Sequence, residues 1–319
     1  MSVDVVVSGL AVLVPGADSA KALAAGPPEG AEPVEPAALV GRKGLRYKDR
    51  ATQLGYCLTA AALRDAELLD EEDTAIGGDA VGVVVSSNYG NLDTVARALD
   101  TLREGTVSAT SPMDLPNASS NVVASSAAIR YGLRGPNLMV CNGATSGLDA
   151  VHWALTLISA GRVPRVLVIG VEPDNNVVRR LLEPDGVTRA VDGGAALLLE
   201  SADAARARGV RTRARLGDYV RTAGLRPLVE RLAAGGAPAP VRWQLPEGAS
   251  APAAELLPGA ARAALPQHLG RASGALGVLQ VAAAIGWYED GGSGPVWAVC
   301  GTDADDACAG LTLREPENT

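Results

Sequence analysis

Apolar residues follow two rhythms along this chain. Short, nearly continuous runs of strand length occur at 3–14, 80–87, 137–141, 165–172, 195–201, 212–220, 241–245, 295–300 and 310–315. Several are apolar at consecutive positions, as in strands covered on both faces. Between them lie segments of helical period, 49–69, 92–105, 122–132, 146–161 and 272–289. In the first, Leu54, Leu58, Ala61 and Ala62 share one face with polar residues opposite. Segment 146–161 is apolar nearly all round and is expected to be buried between layers. Alternating strands and helices predict an α/β fold with largely parallel strands. Stretches 24–40 and 233–264, rich in Pro, Gly and Ala, read as loops apart from 241–245. Strands 3–14 and 212–220 are candidates to open two similar halves.

Composition narrows the classes. With 47% hydrophobic and 20% charged residues in 319, the chain is expected to be soluble and to bury a large core. Phe is absent, so Ala, Val and Leu must fill that core. A net charge of −8 argues against nucleic-acid or anionic-membrane partners. No apolar run approaches the roughly 20 residues of a membrane span. The opening MSVDVVVSGL reads as a strand rather than a signal peptide. Cys57, Cys141, Cys300 and Cys308 lack metal-ligand spacing. Each is expected to be a small buried hydrophobe in a reducing, cytoplasmic setting, with no metal and no cofactor.

The stretch GPNLMVCNGATSGLDAVHWALTLISAG, 135–161, is a strand, a tight turn and a helix. That geometry points backbone N–H groups and the helix dipole at one side chain, a common seat for a nucleophile. The apex, however, reads Gly-Ala-Thr. GATSG also has the spacing of a hydrolase elbow with Thr145 at its apex and His268 later in the chain. An acyl-thioester or ester hydrolase or acyltransferase using Thr145, or Cys141 as a displaced nucleophile, is therefore the enzyme-class alternative. No HGGG-type oxyanion motif accompanies it. His152 reads as a packing residue, and Asp303, Asp305 and Asp306 as a solvated turn rather than a calcium loop. Asn88-Tyr89-Gly90-Asn91 reads as a turn feeding a helix, with a phosphate cradle as the alternative.

The order of segments resembles the β-ketoacyl synthases of the thiolase fold. VVVSGLAVLVPG is similar to that family's first strand, and LRYKDRATQLGYCLTAAALRDAEL to its first long helix. VGVVVSSNYGNLDT, SPMDLPNASSNVVASSAAIRYGLRGPN, SAGRVPRVLVIGVEP and GGAALLLESADAARARG follow in the family's order. The resemblance implies a thiolase-like layered sandwich of two βαβαβ-type halves with buried central helices, divided as 1–210 and a shortened 211–319. It places the family's catalytic Cys at Ala144, and its two catalytic histidines at Arg271 and, in VRWQLPEG, at Gln244. A methyl group cannot form a thioester. CGTDADDA, 300–307, stands where the family has a Gly-Phe-Gly-Gly loop.

Losing these positions together is the pattern of a pseudoenzyme, and GLDA at 147–150 resembles the chain-length factors, partners of active ketosynthases in type II polyketide systems. The chain is shorter than such relatives between about 173 and 193 and within 221–270. The resemblance implies a heterodimer joined through the edge strand Asn137, Leu138, Met139, Val140 and Cys141. It implies a tunnel end wall near Met113, Leu115, Asn117, Val122 and Val123, setting polyketide chain length. Acyl carrier proteins are acidic, so carrier docking is expected mainly on the partner. Small aliphatic walls favour a long or thin, polyene-like chain.

Overall fold

The computed structural model describes residues 3–112, 114–248 and 255–316. Strand β1 (Val5–Leu13) is buried along nearly its whole length, as its continuous apolar run requires. Short helices α1 (Ala20–Ala25) and α2 (Pro36–Val40) follow. The second lies inside the stretch expected to be loop; Pro36 at its start and the Glu35 cap nucleate it. Helix α3 (Arg50–Asp65) is capped by Asp49, whose carboxylate accepts from Thr52 N at 2.8 Å and Thr52 Oγ1 at 2.7 Å. The sequence predicts one buried face for α3, but Thr52, Gly55, Tyr56 and Thr59 are buried too. Helix α2 and the later helix α6 cover its outer side.

The first half continues through β2 (Val81–Ser86), α4 (Leu92–Glu104), α5 (Asp114–Asn117), α6 (Val122–Tyr131) and β3 (Asn137–Val140). Helix α7 (Ser146–Ser159), β4 (Arg165–Glu172), α8 (Asn176–Leu182) and β5 (Gly193–Ser201) complete it. A short α9 (Ala202–Arg208) leads to β6 (Ala214–Thr222), α10 (Leu225–Ala234) and β7 (Arg242–Gln244). Then come β8 (Ala261–Ala263), which lies within the predicted 233–264 loop, α11 (Leu276–Glu289), β9 (Val296–Cys300) and β10 (Cys308–Arg314).

The strands hydrogen-bond in the order β3-β2-β4-β5-β1-β6-β10-β9-β7-β8. Read outward from the β1–β6 junction, the two sides are the same sequence of strands, β1-β5-β4-β2-β3 against β6-β10-β9-β7-β8. The expectation of a largely parallel sheet is corrected. Among the described residues β2–β3, β2–β4, β7–β8 and β7–β9 are parallel, while β1–β5, β4–β5, β1–β6, β6–β10 and β9–β10 are antiparallel. Continuous apolar runs reported burial on both faces, and burial does not determine strand direction.

The ladder wraps around two helices. Helix α7 touches β2 and β4 of its own half and β9 and β10 of the other, while α11 touches β4 and β5 as well as β9. The two helices cross at glycines: a Cβ on Gly147 would lie 2.6 Å from Gly277 N. Helix α11 is enclosed almost throughout, but α7 exposes His152, Trp153 and Thr156, contrary to the expectation of burial all round. The central core around these helices is made of Val, Leu, Ala and Ile, with few aromatic side chains. A second cluster packs α3 and α6 against the outer face of the first half, and a third packs α10 against the second. Cys57, Cys300 and Cys308 are buried, whereas Cys141 is exposed. No described helix is long and apolar enough to cross a membrane.

Candidate active-site cavity

Strand β3 ends at Val140, one residue earlier than predicted, so Cys141 falls past it. Asn142 and Gly143 turn the chain, with Gly143 at φ 72°, and one 3-10 turn (Gly143–Thr145) delivers it into α7. Ala144 sits on that turn and its methyl lines a cavity of about 600 Å³. Arg271, Ser273 and Leu276 line the same cavity from the segment entering α11, the counterpart of α7 in the second half. Glu247, Cys141, Asn88 and Asp305 complete the part of the wall that carries chemistry.

Two side chains lock these turns together. Asn88 donates from Nδ2 to Gly143 O at 2.9 Å and to Ser273 Oγ at 2.8 Å, and its Oδ1 accepts from Ser146 Oγ at 3.0 Å. Glu172, fully buried at the end of β4, accepts from Ser87 Oγ (2.8 Å), Asn88 N (2.6 Å), Tyr89 N (3.0 Å) and Gly274 N (2.9 Å). Burial is the largest influence on its carboxyl and pushes it up to about 7, against the opposing pull of those four donors. The N–H groups of Asn88 and Tyr89 are thus committed to a carboxylate, so this turn is no phosphate cradle.

Of the three positions expected to be vestiges of catalysis, Ala144 and Arg271 meet in the cavity. Gln244 does not line it: the residue is 3% exposed within β7, and its Nε2 has no hydrogen-bond partner. Glu247, three residues on, reaches the cavity instead, accepting from Ala272 N at 2.5 Å and Ser273 N at 2.9 Å. Burial pushes its carboxyl up. Its signal in the sequence is an acid in a Pro-Glu-Gly turn directly after a strand, a pattern that does not resemble a histidine site.

The other candidates fall as follows. Thr145 is 1% exposed and donates to Asp149 Oδ2 at 2.8 Å. Asp149 also accepts from Asn142 Nδ2 at 3.0 Å and from the Tyr219 hydroxyl. His152 stacks on Tyr219 with ring centroids 4.2 Å apart, and the partial desolvation of its covered face lowers its pKa although its outer side is exposed. His268 Nε2 lies 2.9 Å from the carbonyl of Pro27, away from Thr145. Cys141 lines the cavity with its surface still open to solvent, but partial desolvation at the cavity wall and then Glu172 push its thiol up, which disfavours the thiolate. Asp305 accepts from Thr302 N at 2.8 Å within its own turn, and Asp303 accepts from Leu225 N at 2.8 Å, holding the first residue of α10. No metal-holding group of side chains occurs among the described residues.

Val122 and Val123 are 3% and 1% exposed and pack into the core beneath α3. Asn117 is buried, bonding Tyr47 O and Lys48 Nζ, while Leu115 is 79% exposed; Met113 lies outside the described residues. Strand β3 is the outer edge of the ladder, with Asn137 exposed, Leu138 and Met139 half-buried and Val140 buried.

A sheet folded around two crossed helices, with a turn poised at the start of each, is a fold this chain shares with solved ketosynthase structures. The ishigamide ketosynthase/chain length factor superposes with a TM-score of 0.81 at 19% identity, covering 99% of this chain and 100% of that one. A type II polyketide synthase acyl-carrier protein in complex with its ketosynthase bound to the hexaketide gives 0.81 at 16% identity, covering 98% and 100%. A beta-ketoacyl synthase from Burkholderia phymatum gives 0.78 at 16%, covering 99% and 100%.

Residues 29–179 match the family model for the beta-ketoacyl synthase N-terminal domain. The 3-oxoacyl-[acyl-carrier-protein] synthase 2 of Vibrio harveyi is 31% identical over 133 residues, 42% of this chain and 31% of that protein. Its namesake in Staphylococcus aureus is 24% identical over 201 residues, 56% and 49% respectively. These matches span less than half the length of either curated relative.

Proposed function

We propose that this chain is a ketosynthase-like subunit without a nucleophile, which pairs with an active ketosynthase and limits the length of the polyketide chain built there, as a chain-length factor does. The observation that carries this reading is Ala144: the turn, helix and cavity are intact around a methyl group. Arg271 in the same cavity is a permanent cation and cannot serve as a general base.

The β3 edge supports the pairing. Its outer side has no strand partner among the described residues, and half-buried Leu138 and Met139 sit on it. Ile129 on α6, 83% exposed, and Trp153 on α7, 47% exposed, belong to the helices packed on its two faces. Joining this edge to a like edge would cover unpaired backbone and these side chains together. Leu115 and Val107, 79% and 77% exposed, are free to reach a partner's acyl tunnel. A wall there acts sterically, because forcing extra bulk into a packed apolar space costs about 1–3 kcal/mol.

Carrier docking falls mainly to the partner, since a net charge of −8 repels acidic carriers, with Arg42, Lys43 and Arg46 as a locally basic exception. Co-expression with an active ketosynthase tests the pairing. The two chains should co-purify, and Met139→Asp should separate them while leaving this chain folded. Two chains that never associate would remove the proposal. Leu115→Trp should shorten the products of the pair without stopping condensation.

The exposure of Cys141 at the cavity favours a second reading, in which its thiol carries an acyl group. Thioester turnover by the isolated chain that disappears in Cys141→Ser would establish it.

A further inference from the structure

A second cavity of about 590 Å³ adjoins the first, sharing Glu247, Gly248, Arg271 and Leu276 with it. Arg189 and Arg271 line it from two segments held side by side. Ala190 and Arg271 form a parallel bridge, and Arg271 N donates to Arg189 O at 2.9 Å. The Nε of Arg189 is out of reach of water and has no hydrogen-bond partner. Arg271 faces the Glu247 carboxylate across the wall and feels its charge, whereas Arg189 has no such acidic neighbour on the lining. Nearby arginines are paired: Arg179 meets Asp174 at 2.6 Å and Arg50 meets Asp192 at 2.8 Å. The chain has 36 acidic residues against 28 basic ones, so two guanidiniums sharing one hollow with a single carboxylate stand out. Glu247 is the carboxylate on the wall, and its oxygens are engaged by Ala272 N and Ser273 N.

Folded proteins leave few buried donors without an acceptor, and a guanidinium fork matches the oxygens of a carboxylate or phosphate. We infer that this cavity binds an oxyanion, a carboxylate or phosphate carried by a small molecule, between Arg189 and Arg271. The volume exceeds that of the anion alone, and Leu265 and Leu276 line it too, so the ligand has an apolar body behind its charged end. The inference does not depend on the pairing proposed above and concerns the isolated chain.

Calorimetric titration and thermal unfolding of the full chain with inorganic phosphate and with malonate, each against sodium chloride at equal ionic strength, test it. At least one probe should bind and raise the melting temperature above the chloride control, and the stronger one identifies the anion class. Arg189→Gln and Arg271→Gln should each weaken that binding about tenfold or more, the worth of a charge-assisted contact. Arg189→Lys, which keeps the charge, should retain part of it and serves if the glutamine variant fails to fold. Binding no stronger than chloride for both probes, or unchanged in the folded variants, would overturn the inference.

Discussion

If the seat at residue 144 is a working pedestal lacking only its reactive group, a thiol placed there should be activated. Ala144→Cys puts a sulfur on the turn entering the 14-residue helix α7. A charge at a helix N-terminus gains about 0.3–1 kcal/mol, and up to about 2 kcal/mol where partly buried. At 1.36 kcal/mol per pKa unit, that lowers the introduced thiol by roughly 0.2–1.5 units from its ordinary value near 8.5. Arg271 on the same wall acts in the same direction, and Glu247 and Asp305 oppose it. Cys141, a few residues away and shifted upward, is an internal reference. Iodoacetamide labelling between pH 6 and 10, read peptide by peptide by mass spectrometry, should show the new thiol titrating below Cys141. At neutral pH it should react several-fold faster. An introduced thiol that titrates at or above Cys141 would mean that the turn has no activating geometry to offer.

Other consequences are equally direct. Gly147→Ala should destabilise the fold by about 3 kcal/mol in urea titrations, because the added carbon would press on the Gly277 backbone; an unchanged midpoint would contradict the crossing described. Val122→Trp should lower stability by about 1–3 kcal/mol rather than tune product length, since Val122 packs inside its own subunit. Glu172 is lifted from 4.5 to about 7 in the folded chain, so the native state holds its proton more tightly than the unfolded state does. Its contribution to stability is therefore present in full below about pH 4.5 and lost as pH rises toward 7. Denaturation measured across that window should show the slope in the natural protein and lose it in Glu172→Gln.

Much of this was legible before any coordinates. The strand and helix runs lie near their observed positions, and the repeat hinted at by segments 3–14 and 212–220 appears in the strand order. Strand direction was not legible, because a Val-rich run looks alike whichever way its neighbours point. Segment 146–161 is apolar nearly all round yet leaves Trp153 on the surface, because apolarity alone does not say which side of a helix the fold covers. At the site, Ala144 and Arg271 could be placed because glycines and a following helix fix their register. Gln244 could not, since β7 is three residues long and nothing periodic anchors it. The role of Glu172 was invisible for another reason: its donors come from positions 87–89 and 274, and only folding brings those together.

The bonds made by Asn88 and Glu172 have an evolutionary corollary. Neither side chain needs anything from residue 144 to keep its own partners, so the machinery holding the two turns face to face is separate from the group that would react between them. A lineage could therefore discard its reagent in a single codon change and inherit the vessel undamaged. The shape of the cavity and its rim is then open to selection independently of any reaction inside it.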